Sequence, residues 1–141
     1  MSSASPGRKA MPAESYLRTA AQLVQQRRID DAIAHLRQGI RTLRAQGDLA
    51  GVSSLACTAA EHCTQRGDLH AAATLYEDAA RAAPDDPYTQ LAIGDTYAMM
   101  GDDARSTTHW NRFSEMASAS MDPDLLELLA AHLARRQRLK R

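Results

Sequence analysis

The dipeptide Gly67-Asp68 reappears 34 residues later as Gly101-Asp102, and the residues behind it keep step. The same shift carries Tyr76 onto Trp110 and Ala79 onto Phe113. A shift of 40 residues towards the amino terminus carries Leu69 onto Ile29, Ala72 onto Ala32, Tyr76 onto Leu36 and Ala79 onto Gly39. A period of this length implies a unit that cannot bury its apolar face alone, so successive units have to stack. Small residues at the repeated sites let two helices approach closely, and a large apolar residue four places on plugs the gap to the next unit.

Within each period the apolar residues recur every three or four positions, with almost no alternating β-branched runs, which predicts helix from Ala13 onward. The breaks fall at Arg27-Arg28, Gly47-Asp48, Gly67-Asp68, Pro84-Asp85-Asp86-Pro87, Gly101-Asp102-Asp103 and Asp122-Pro123. Glycine supplies the left-handed residue that ends a helix, aspartate caps the next, and proline is tolerated in a first turn. Seven helices follow, at about 13–26, 29–46, 49–66, 69–82, 87–100, 103–119 and 123–138. The expected fold class is all-α, an α-solenoid of antiparallel helical hairpins. Residues 1–12, rich in Ser, Pro, Gly and Ala, read as a disordered tail without a structural role.

The run Gly67-Asp68-Leu69-His70-Ala71-Ala72-Ala73-Thr74-Leu75-Tyr76-Glu77-Asp78-Ala79-Ala80-Arg81-Ala82-Ala83-Pro84 resembles the turn and second helix of a tetratricopeptide repeat. Gly67, Ala72, Tyr76, Ala79 and Pro84 stand where that family has its turn glycine, small residue, aromatic, alanine and closing proline. Gly94, Tyr97, Gly101 and Trp110 match the next unit, which departs from the pattern at Ser106 and Phe113, where small alanines are usual. The enlarged Phe113 points to contact with the last helix. The first unit keeps Leu23, Ala32 and Leu36, with Arg27 in place of the turn glycine. The resemblance covers about residues 13–119 and implies a tetratricopeptide-like superhelix of three repeats, at about 13–52, 53–86 and 87–122. Residues 123–141 then form a capping helix with a basic tail, sealed through Leu125, Leu126, Leu129 and Leu133.

Composition narrows the function. Seventeen basic residues balance seventeen acidic ones in a chain of 141 residues, so a global attraction to nucleic acid or an acidic membrane is missing. Hydrophobic residues at 44% and charged residues at 24% are ordinary for a folded domain. No window approaches the roughly 18 apolar residues of a membrane span, and the first residues lack the apolar core of a secretory signal, so the expected location is cytoplasmic. Fifteen arginines against two lysines point to a GC-rich genome and carry no functional weight. Cys57 and Cys63 lie six apart on one predicted helix, about 9 Å along its axis and largely on different faces, a poor geometry for a disulfide.

Motifs for catalysis are missing: there is no G-x-x-x-x-G-K-[ST], H-E-x-x-H, paired C-x-x-C or G-x-S-x-G. The nearest cluster is Glu61, His62 and Cys63 with His70, which a thiol nucleophile or a zinc site would use. Its spacing is poor, because adjacent residues point some 100° apart, and Cys63 reads better as a small buried hydrophobe. His109 beside Trp110 suggests a stacking platform, but Trp110 holds the repeat's packing position. Of Met99, Met100, Met116 and Met121, Met100 and Met116 read as core filling. The pairs Asp85-Asp86 and Asp102-Asp103 read as helix caps. No enzyme, cofactor or metal is expected.

In tetratricopeptide proteins the first helices of successive hairpins line a concave groove that holds a peptide or a partner helix, and the resemblance implies the same here. By this register the lining is Leu17, Ala21, Val24 and Gln25, with Arg18 close by, then Cys57, Glu61 and Thr64, then Tyr88, Leu91, Asp95 and Met99. It offers none of the Lys, Arg and Asn with which some members clamp an acidic carboxy-terminal peptide. The expected partner is another protein, presenting an amphipathic helix or an extended peptide with a few basic residues to meet Glu61 and Asp95. The expected function is a noncatalytic adaptor, scaffold subunit or dedicated chaperone, with self-association open to an array this short. The alternative is an RNA- or membrane-associated accessory protein using the basic tail Arg135, Arg136, Arg138, Lys140 and Arg141, whose cations equally suit a helix carboxy terminus.

Overall fold

A computed structural model describes residues 11–140. Residues 1–10 of the expected tail and Arg141 lie outside the described residues, while Met11 and Pro12 are exposed ahead of the first helix. The described chain is all-helical: α1 (Ala13–Gln25), α2 (Ile29–Ala45), α3 (Leu49–Gln65), α4 (Leu69–Ala82), α5 (Pro87–Met99), α6 (Asp103–Ala119) and α7 (Pro123–Leu139). Consecutive helices pack as hairpins within two compact units, one ending at Pro84 and one beginning at Asp85.

The tight junctions share one construction. At Gly47, Gly67 and Gly101 the backbone turns left-handed, with φ of 76°, 81° and 80°. The next residue, an aspartate each time, sends its N–H back to the helix it leaves: Asp48 to Leu43 O, Asp68 to Cys63 O and Asp102 to Tyr97 O, all at 2.9 Å. The same aspartates cap the helix they enter, Oδ1 accepting from Gly51 N–H at 2.9 Å, Ala71 N–H at 3.2 Å and Arg105 N–H at 3.1 Å. Asp86 and Asp122 cap α5 and α7 in the same way, through Tyr88 N–H and Asp124 N–H. Each such cap contributes about 1 kcal/mol. The α1–α2 junction keeps the returning bond, Arg28 N–H to Leu23 O at 2.8 Å, but not the residues: Arg27 takes the left-handed position at φ 61° in place of glycine, and Arg28 gives α2 no side-chain cap.

The first unit holds α1 to α4. Its core runs through Tyr16 and Ala20 on α1, Leu36, Ile40 and Leu43 on α2, Val52, Leu55 and Ala59 on α3, and Ala72, Leu75 and Ala79 on α4. α1 also packs on α3. Close approach is bought by small residues at the repeated sites: a Cβ on Gly39 would fall 2.6 Å from Leu55 Cδ1 and 2.7 Å from the Tyr16 ring. The Tyr16 ring in turn leans on His35, centroids 5.1 Å apart.

The second unit holds α5 to α7. Phe113, the enlarged residue at a site where small ones repeat, is completely buried and forms one cluster with Ala117, Leu125 and Leu129, with Leu91 and Leu128 packed around it. α7 therefore docks through Phe113, as its size predicts. The docking face differs from the expected one. Leu125 and Leu129 are buried, but Leu126 and Leu133 are 40% and 48% exposed, and His132, at 1% exposure, takes the third place on the buried face. Helical spacing explains the difference: residues 125, 129 and 132 fall within about 60° of one another, whereas 126 and 133 sit roughly 80–100° round from Leu125.

Candidate functional site

Charged and aromatic side chains converge in the second unit. Gly94 on α5 leaves room for the indole of Trp110, which lies so close that a Cβ on Gly94 would collide with its Cδ1. The indole N–H donates to Asp95 Oδ1 at 2.9 Å, and the Arg135 guanidinium reaches the same oxygen at 3.3 Å. Arg136 covers the indole face at 5.2 Å and donates to Asn111 Oδ1 at 3.4 Å. His132 meets Trp110 and Phe113 edge-on, centroids 5.2 Å and 5.4 Å away. Its Nδ1 is 3.3 Å from Arg135, and its Nε2 is buried without a hydrogen-bond partner. Burial pushes the His132 pKa below the ordinary 6.5, Arg135 and Arg136 push the same way, and Asp95 opposes them. The imidazole is thus held neutral, a packing group as much as a polar one. Trp110 fills a packing role, and the T-shaped rings around His132 are a favoured arrangement.

A second aromatic group sits beside it. Tyr97 stacks on His109 with centroids 5.9 Å apart and an interplanar angle of 19°, and Arg105 covers the Tyr97 ring at 5.5 Å. His109 Nδ1 lies 2.8 Å from the Oε1 of the buried Gln90. His109 is therefore occupied within its own hairpin.

The groove residues expected from sequence divide between the units. On α1, Arg18, Ala21 and Gln25 are exposed, and Leu17 and Val24 are half-buried. On α3, Glu61 is exposed, Cys57 and Thr64 are half-buried, and the Thr64 hydroxyl donates to Ala60 O at 3.0 Å. Because α1 packs on α3, these two helices present their residues within one unit. On α5, Tyr88 and Met99 are exposed, at 50% and 56%. Leu91 and Asp95 are not free lining: Leu91 packs against the Phe113 cluster, and Asp95 is held by Trp110 and Arg135. A partner's basic residue meeting Asp95 would have to compete with Arg135.

The basic tail divides as well. Arg135 and Arg136 are tied to Asp95, Trp110 and Asn111, while Arg138 and Lys140 are exposed at the end of α7. The cluster around Cys63 does not assemble as a reactive group. Cys63 is 2% exposed, and burial raises its pKa above 9.0, ahead of the opposing influence of Arg37, so the thiol stays protonated at neutral pH. His62 Nδ1 lies 3.3 Å from Gln65 Oε1, and His70 is exposed on the next helix. Among the described residues no three His, Cys, Asp or Glu side chains group as metal ligands, and no helix is long and apolar enough to cross a membrane.

The network on Asp95 escaped the sequence reading. Its one signal was the Gly94-Asp95 step facing Trp110 across the hairpin. No protein-family model matches the chain, and no curated protein matches it.

Proposed function

We propose that the chain is a tetratricopeptide-like, noncatalytic protein-interaction module, an adaptor, scaffold subunit or dedicated chaperone. It takes a partner's amphipathic helix or extended peptide on the surface of its first helices. The observation that carries this reading is the α1–α3 pair. Two adjacent helices of one unit leave Ala21, Gln25 and Glu61 exposed beside the half-buried Leu17, Val24 and Cys57. Apolar positions next to one exposed carboxylate suit a partner segment with an apolar face and a basic flank. Tyr88 and Met99 on α5 offer a further exposed aromatic and thioether of the kind enriched at protein interfaces.

The test is affinity capture from native cell extract with the wild type, an Ala21→Arg, Glu61→Arg variant, and a Tyr88→Glu, Met99→Glu variant. All four positions are exposed, so helicity by circular dichroism should be unchanged. A protein captured by the wild type and lost with the first variant supports the reading. Capture unaffected by either variant, or binding whose salt dependence disappears when residues 135–141 are removed, would transfer the function to the basic end of α7.

A further inference from the structure

α7 has two faces, and only one is used inside its unit. Leu125, Leu129 and His132 point into the Phe113 core, while Leu126, Ala130 and Leu133 form a second stripe on the exposed side. Its members follow at intervals of four and three, which keeps them on one side of a helix. Leu126 and Leu133 stand 40% and 48% exposed, and no residue of this unit's core covers them.

The charges of α7 are sorted along its length. Of the exposed charges that no side chain among the described residues holds and that do not sit behind the stripe, Asp122 and Glu127 belong to the amino-terminal half and Arg138 and Lys140 to the carboxy-terminal half, whereas Arg135 and Arg136 are held by Asp95, Trp110 and Asn111. Two such helices side by side in the same direction set acid against acid and base against base. In opposite directions each acidic half meets a basic half, and an axis of two-fold symmetry passes near Ala130, whose small side chain permits close approach. Leu126 of one helix then lies across from Leu133 of the other. A surface that complements itself under a two-fold rotation is what an isologous dimer requires.

We propose that the exposed face of α7 docks a second copy of this chain, through antiparallel α7–α7 pairing centred on Ala130. The occupant is set by charge: a helix that is acidic in one half and basic in the other, around a leucine–alanine–leucine stripe, fits its own inverted copy. One helix pair is a small interface, so the dimer forms reversibly, with a dissociation constant on the order of micromolar. Added salt weakens it, because the paired halves are exposed charges.

Sedimentation of the full chain from about 1 to 200 μM tests the pairing, with helicity checked by circular dichroism. The wild type should shift from monomer to dimer across this range. Leu126→Glu with Leu133→Glu should remain monomeric, and Glu127→Arg, which touches no core residue, should weaken dimerisation at least about tenfold by setting base against base. Direction is read in a Cys57→Ser background with a short bifunctional maleimide. Antiparallel pairing cross-links a mixture of Leu126→Cys and Leu133→Cys chains and leaves each variant alone uncoupled. A wild type monomeric at every concentration, a dimer that survives the double glutamate variant, or coupling of each cysteine variant with itself overturns the proposal.

Discussion

Asp95 Oδ1 accepts the indole N–H of Trp110 at 2.9 Å, so a carboxylate on α5 and an aromatic ring on α6 are locked across their hairpin. Half-buried, this hydrogen bond involves a charged acceptor, and bonds of that kind contribute more than neutral ones, about 1.5–3 kcal/mol. It holds only because the residue before Asp95 has no side chain.

Gly94→Ala should therefore displace the indole. The added Cβ would collide with Trp110 Cδ1, and the neighbour is a rigid ring pinned by Asp95, His132 and Arg136. The expected loss is about 1–3 kcal/mol, measured by denaturant unfolding. Trp110 is the chain's single tryptophan, so its fluorescence reports the same event directly. A variant with unchanged stability and an unchanged emission spectrum would mean that the ring has room to spare.

Arg27 stands in the left-handed region at φ 61°, where the corresponding junctions have Gly47, Gly67 and Gly101. A side chain there costs about 1–2 kcal/mol. Arg27→Gly should raise unfolding stability by about 1 kcal/mol after allowing for the greater freedom of glycine in the unfolded chain. Arg27 is exposed, and among the described residues no ion pair holds it, so removing its side chain sacrifices little. Thermal unfolding of the two proteins side by side checks this, and a lower midpoint for the glycine variant contradicts it.

His132 links stability to pH. Its folded pKa is lowered below 6.5, so in mildly acidic solution the unfolded chain binds a proton that the folded chain refuses. More protons on the unfolded state means that stability rises with pH. The contribution of His132 is complete above about pH 6.5 and is lost as the pH falls from there towards the folded value. The proton would enter beside Arg135 and Arg136, with Asp95 alone in opposition. His132→Leu should flatten this part of the curve while keeping a buried apolar body between Trp110 and Phe113. Denaturant midpoints between pH 7.5 and 5 measure it, and parallel curves for the two proteins would assign the acid sensitivity elsewhere.

Helix boundaries were legible because the stop signals are chemical and local. Gly47-Asp48, Gly67-Asp68 and Gly101-Asp102 each announce an end and a beginning, and the expected helices match the observed ones to within one residue at either end. The role of Phe113 was legible too, since a large ring at a site where small residues repeat has to find a pocket. The orientation of α7 was not. Leucines at 125, 126, 128, 129 and 133 offer two apolar stripes, and the choice between them rested on His132, whose polarity hides how well its ring packs. Nor could spacing reveal that Asp95 and Arg135, forty residues apart, share an ion pair, or that Leu91 is already engaged by the Phe113 cluster. Those are properties of tertiary neighbours, which a periodic pattern does not encode.

At three of the junctions one aspartate serves two helices, its N–H closing the helix behind and its carboxylate opening the one ahead. Such a joint has no slack. An inserted residue would part the two duties and leave one helix end with unsatisfied backbone groups, so these turns are poor places to graft a tag, lengthen a loop or cut the chain for permutation. The stretches around Pro84-Asp85 and Ser120-Met121 carry no such double duty, and there the chain has freedom to change its length.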